Sequence, residues 1–269
     1  MGGAFSRYIA EVLPSLAPRS QSDYRKAIAT LRPVFGHMRP SALKPRQVYE
    51  FMSHRPRVTG NREKAVLSAV MTQCVRWGAI DRNLVREVKR NRETPRDRYV
   101  TDAELDLFIS RCTPMMRAYV ELKMLTGLRQ AQVLGLRRTD WDGEVLQVPG
   151  AKADRTVRYT GLKLRAAIKA CLALQKGEGE VASLYILSTR TGNRYTGDGF
   201  RSIWQRVMRK YMAAGGVRFT EHDLRAKVAS DSATLEAASA RLGHQHQSTT
   251  KRVYHRKPVE VTVLDRDPQ

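Results

Sequence analysis

The chain has 269 residues, 42% of them hydrophobic, which is enough for about two domains that each bury a core and excludes a disordered basic tail. Its 48 Lys and Arg against 26 Asp and Glu give a net charge of +22, and so large an excess of one sign calls for a polyanionic partner, nucleic acid first and an anionic membrane second. No run approaches the roughly 20 apolar residues that span a bilayer and no secretory signal opens the chain; three scattered cysteines, Cys74, Cys112 and Cys171, exclude a zinc ribbon and point to free thiols in a reducing, cytoplasmic setting.

The opening MGGAFS sets Gly2 and Ser6 in the loose pattern for N-myristoylation, a pattern too permissive to outweigh the lack of any other membrane signal. In SDYRKAIATLRPVFG, Tyr24, Ile28, Leu31 and Phe35 recur on one helical face, with Ser22 placed as its N-cap. In NREKAVLSAVMTQCVRWGAI, Leu67, Val70, Met71, Cys74 and Trp77 do the same in a helix that starts behind Asn61 as its cap. Such stripes are core. Arg25, Lys26, Arg62 and Lys64 fall outside them, where each meets a nucleic-acid phosphate or merely solvates the surface. Residues 89–100, KRNRETPRDRYV, interrupt the pattern with dense charge and Pro95, so they read as a basic interdomain linker with Lys89, Arg90 and Arg92 as further phosphate candidates. The expected domains are therefore 1–88, the linker 89–100, and 101–269, with a C-terminal tail from about residue 256.

The second domain opens on TDAELDLFISRC, a capping box of Thr101 and Glu104 followed by Leu105, Phe108 and Ile109 on one face. GEVLQVPGAKADRTVRYTG carries two short alternating runs around a turn, the signature of a hairpin. Phe200 to Met212 returns to helical spacing, and VEVTVL near the C-terminus is strand-like. The predicted fold class is mainly α with a small antiparallel sheet.

Four stretches of this domain share a chemistry: TGLRQAQVLGL with Arg129, the hairpin with Lys152, EHDLR with His222 and Arg225, and LGHQHQSTTKRVY with His244 and Tyr254. Singly each has a bland reading, since a glycine before Leu-Arg often just separates two helices. Attack on a phosphodiester builds negative charge on its oxygens, and without a metal that charge needs fixed cations. Guanidiniums suit, because they offer paired planar donors and stay charged. His222 and Arg225, three apart on a helix, share a face and bring a base and a permanent cation to one group. A phenol is a poor nucleophile at neutral pH unless a base and positive charge assist it, and Tyr254 follows His244 among Lys251, Arg252 and Arg256. Lys152 at a hairpin tip can protonate a leaving oxygen. His244 and His246 also suggest a metal pair, but no third ligand has suitable spacing.

This ordered set resembles the tyrosine recombinases, or phage integrase family, which share a catalytic core with type IB topoisomerases. The resemblance puts Arg129 in the family's first box, Lys152 at the hairpin lysine, His222 and Arg225 in the His-x-Leu-Arg box, His244 in the Leu-Gly-His box, and Tyr254 at the nucleophile. Three departures stand out. Gln132 replaces the usual acidic residue, His244 and Tyr254 are one residue further apart than usual, and Ala153 and Asp154 follow the lysine where Thr-Gly is usual, so that Arg155 is a rival for the hairpin role.

What the resemblance implies is an N-terminal helical core-binding (SAM-like) domain and an α+β catalytic domain around double-stranded DNA with specific recombination sites, and no arm-binding domain ahead of them. Tyr254 would attack the scissile phosphate to give a 3′-phosphotyrosyl bond; Arg129, Arg225 and His244 would hold the phosphate, His222 would assist proton transfer and Lys152 would protonate the leaving oxygen. No metal, ATP or other cofactor is implied. A homotetramer on DNA, possible monomers free in solution, and a C-terminal strand exchanged between protomers or paired within its own domain complete the expectation. The alternatives are a topoisomerase-like relaxer of DNA and a non-catalytic DNA-binding protein on the same fold.

Overall fold

The computed structural model describes residues 1–149, 156–175, 183–244, 247–254 and 256–257, and it divides into two compact units, Met1–Pro95 and Arg96–Gln269. The division falls inside the charged 89–100 stretch.

The first unit holds four helices, α1 (Gly2–Glu11), α2 (Pro18–Phe35), α3 (Pro45–Ser53) and α4 (Arg57–Arg76). Its core joins Phe5, Ile28, Leu31, Phe35, Val48, Leu67, Val70, Met71 and Cys74, so the helical stripes read from the sequence do face inward. Two helix starts differ from expectation. α2 begins at Pro18 rather than behind Ser22, because proline's fixed φ suits the first helical position and its missing N–H costs nothing there. α4 begins at Arg57, leaving Asn61 inside the helix and 1% exposed. Its amide is used elsewhere: Nδ2 donates to the Asn91 carbonyl (2.9 Å) and Glu93 (2.7 Å), while Oδ1 accepts from the Asn91 N–H (2.8 Å). The charged stretch up to Pro95 is thereby tied to its own unit. Arg25, Lys26, Arg62, Lys89, Arg90 and Arg92 are exposed and Lys64 half-buried, with Arg90 paired to Glu93 at 2.9 Å.

The second unit runs α5 (Asp102–Ser110), α6 (Pro114–Thr126), α7 (Gln130–Val133), β1 (Leu146–Pro149), β2 (Thr156–Tyr159), α8 (Leu162–Ala173), α9 (Gly197–Ala213), α10 (Glu221–Ser230), α11 (Leu235–Leu242) and α12 (Gln247–Tyr254). The Thr101 and Glu104 capping box starts α5: the Thr101 N–H donates to Glu104 at 2.9 Å. β1 and β2 form an antiparallel pair, Leu146 opposite Tyr159 and Pro149 opposite Thr156. The turn carrying Lys152, Ala153, Asp154 and Arg155 lies outside the described residues, as do His246 and the VEVTVL segment.

α6 is the central helix of this unit, packed against α8 and α10. An aromatic group, with Phe108 to Trp204 ring centroids 4.8 Å apart and Tyr119 to Phe200 4.3 Å apart, fills one side. A smaller cluster of Ala226, Ala229, Ala238 and Leu242 receives the ring of Tyr254. Alanines on α10 and α11 leave the room that a phenol needs.

Candidate active site

The site is assembled on three helix ends. α6 stops at Thr126 because Gly127 takes a left-handed conformation, φ 68°, which caps the helix. A side chain there is strained by the positive φ and would have to push its neighbours aside, since a Cβ at 127 would lie 2.6 Å from Leu242 Cδ2 and 3.1 Å from Val228 Cγ1. That turn presents the carbonyl of Gly127 on one side and leads through buried Leu128 to exposed Arg129 on the other. Gln132 caps the start of α7, its Oε1 accepting from the Arg129 N–H at 3.2 Å. Its Nε2 also donates to the Pro149 carbonyl at 3.3 Å, a bond that a carboxylate cannot make, so it links the Arg129 turn to the end of β1.

α10 starts behind Thr220, whose N–H and hydroxyl donate to Asp223 at 2.8 and 2.7 Å. Arg225, 1% exposed, donates to the carbonyls of Gly127 and of Leu242 (2.8 Å) and to His244 Nε2 (3.0 Å). Since guanidinium only donates, His244 Nε2 accepts and its Nδ1–H points to Thr250 Oγ1 at 2.7 Å. His244 is thus a neutral imidazole of defined tautomer. Burial first, then the charges of Arg225 and Arg129, push its pKa down to about 4.

Tyr254 ends α12, 5% exposed, with its ring centre 5.2 Å from that of His222 and 5.0 Å from that of His244; the Arg225 Cζ lies 5.3 Å away. Crowding by protein lowers the His222 pKa, and Lys123, Arg225 and Arg256 add to this while Asp223 opposes it. The structure therefore brings His222, Arg225, His244 and Tyr254 into one cluster. Arg129 is felt there as a neighbouring charge at Arg225, where burial is the larger influence, and at His244. Lys152 lies outside the described residues.

Several groups that sequence reading passed over hold this cluster. Ser230 Oγ donates to the Tyr254 carbonyl and accepts from the Arg256 N–H, both at 2.8 Å. The Arg256 guanidinium donates to Asp223 at 2.7 Å, with side chains 5% and 0% exposed. T-x-x-D before an apolar run is a legible cap, but nothing in the sequence pairs Asp223 with a residue 33 positions later. Among the described residues no group of three His, Cys, Asp or Glu is placed to hold a metal ion, and no helix is long and apolar enough to cross a membrane.

The model for the phage integrase family matches residues 98–260. Among solved structures, a dimer of lambda integrase (75-356) bound to a COC' core site matches 98% of this chain and 99% of its own, with TM-score 0.84 and 15% identity. A lambda integrase tetramer bound to a Holliday junction matches 97% of this chain and 79% of its own, at 0.81 and 15%. The Tn1549 transposon integrase in complex with transposon right end DNA matches 97% and 96%, at 0.79 and 14%. At such identities the likeness is one of fold. No curated protein matches the chain.

Proposed function

Because this chain belongs to the phage integrase family, and is a tyrosine-type site-specific recombinase, we propose that Tyr254 is its nucleophile and that Arg129, Lys152, His222, Arg225 and His244 complete the reaction centre. The supporting observation is the packing of the Tyr254 ring against His222, His244 and Arg225. The Tyr254 oxygen attacks the scissile phosphorus, the bond to the 5′-oxygen breaks, and a 3′-phosphotyrosyl ester and a 5′-hydroxyl result. His222, kept neutral at physiological pH, takes the phenolic proton, and Lys152 gives one to the departing 5′-oxygen. Arg225 and Arg129 offset the charge that develops on the phosphate oxygens, and His244, bonded to Arg225, helps to hold the phosphate. The ester keeps the energy of the bond it replaces, so rejoining needs neither ATP nor a metal ion.

The first unit acts as the helical core-binding domain, its exposed Arg25, Lys26, Arg62, Lys89 and Arg92 going to backbone phosphates of the duplex. Lambda integrase forms a tetramer on a Holliday junction, and the present chain works the same way, two duplexes held by four protomers that exchange strands in two steps. The test is a nicked suicide duplex carrying the recombination site. Wild type should become covalently attached and Tyr254→Phe should not; attachment by Tyr254→Phe would remove Tyr254 from the reaction.

A further inference from the structure

Two charged residues with no part in the chemistry above lie beneath the site. Lys123 on α6 has a side chain 2% exposed, and Glu221, the first residue of α10, has one 17% exposed. Their heads are 2.5 Å apart. Lys123 Nζ also donates to the Leu128 carbonyl at 3.0 Å, and the Tyr119 hydroxyl donates to the same Glu221 oxygen. Each anchor point adjoins a reaction-centre residue, since Leu128 precedes Arg129 and Glu221 precedes His222. An ammonium this deep has lost its water, and apolar side chains of the same volume would serve stability as well or better. Stability alone gives no reason for the pair; its location gives one.

We infer that Lys123 and Glu221 are positioning residues of the reaction centre, which fasten the turn presenting Arg129 to the turn presenting His222 and fix the charge that the His222 imidazole meets. The inference rests on the assignment of Arg129 and His222 to that centre. Around His222 the charged or titratable groups are Lys123 from α6, Asp223 and Arg225 from its own helix, Glu221 beside it, and Tyr254 and Arg256 from the C-terminal segment. After burial, Lys123 is the largest influence lowering the His222 pKa. Burial also lowers the pKa of Lys123 itself, and Glu221 opposes that fall, so the carboxylate favours the charged ammonium.

The experiment uses the full chain with isotope-labelled histidine, the His222 resonance being assigned by its loss in His222→Gln. Lys123→Met leaves the Glu221 carboxylate bonded to Tyr119 but without its cation, and the His222 pKa should rise by about one unit. Adding Glu221→Gln removes a weaker influence on His222 and should leave most of that rise in place. Absence of the rise, or a double variant that falls back below wild type, overturns the electrostatic half. On the nicked duplex at saturation, the double variant should form its covalent adduct about tenfold more slowly than wild type, with duplex affinity within about twofold. A folded double variant that reacts at the wild-type rate overturns the fastening half, and this rate alone decides if Lys123→Met does not fold. If wild type forms no adduct, or Tyr254→Phe still does, the chemistry assigned to Tyr254 fails, while the titration still judges the pair.

Discussion

The two units are both helical, yet they place their charge in opposite ways. In the first, the buried polar residues are Asn61 and Glu63, and each serves local order: Asn61 ties down residues 91 and 93, and Glu63 accepts from Arg55 at 2.6 Å. None of its lysines or arginines is buried. In the second, Lys123, Asp223, Arg225 and Lys227 are all at most 1% exposed and all partnered, Lys227 by Asp102 at 2.6 Å and Asp231 at 3.0 Å. Burying charge is costly and a stable core does not need it. An outer shell of cations suits a surface that meets many phosphates with equal weight, whereas buried cations held by carbonyls and carboxylates suit a place where one phosphate must be met in one geometry.

Four substitutions press on this contrast. The largest effect is expected for Arg225→Lys. A lysine cannot donate in one plane to Gly127, Leu242 and His244, so adduct formation on the suicide duplex should fall about a thousandfold while duplex affinity changes less than about tenfold. Gly127→Ala should come next, destabilising the second unit by about 2–3 kcal/mol in urea titration, because the positive φ and the 2.6 Å approach of Leu242 act together.

The third concerns pH. His222 and His244 are both held below the ordinary histidine value of 6.5, His244 at about 4, so between those values the unfolded chain binds protons that the folded chain refuses. Stability should be level above about pH 6.5 and fall as pH drops from there toward 4; His244→Asn should show a shallower fall in denaturation midpoints across that window. The smallest effect belongs to the first unit. Arg62→Ala should weaken duplex binding a few-fold for every sequence and reduce the salt slope by about one, leaving the adduct rate at saturation unchanged.

Most of the helical framework was legible because apolar spacing is local: Leu67, Val70, Met71 and Cys74 need only one another to define a face. The same holds for Thr101 and Glu104, three apart, and for the hairpin. Helix starts were harder. Ser22 looked like a cap, but Pro18 lies a turn earlier and proline at a first helical position is the stronger local signal; Asn61 looked like a cap and is instead a buried clamp for a segment 30 residues away. In the site, the residue types and their order were readable because each short box carries its own helix turn. The supports were not. Lys123 and Glu221 are 98 positions apart and each alone reads as surface charge, and Ser230 is one small polar residue among many. Long-range polar pairing leaves no period in a single sequence.

Asp223 has a further consequence for how the second unit is strung. Besides capping its own helix, its carboxylate meets Arg256 at 2.7 Å and Arg96 at 3.4 Å, and the Arg256 guanidinium also reaches the Arg98 carbonyl at 3.2 Å. The strand of chain entering this unit and the strand leaving the tyrosine are thus knotted to one carboxylate. Tension applied beyond Lys257 has a short mechanical route to the junction at residue 96, bypassing the long path through the helices between them.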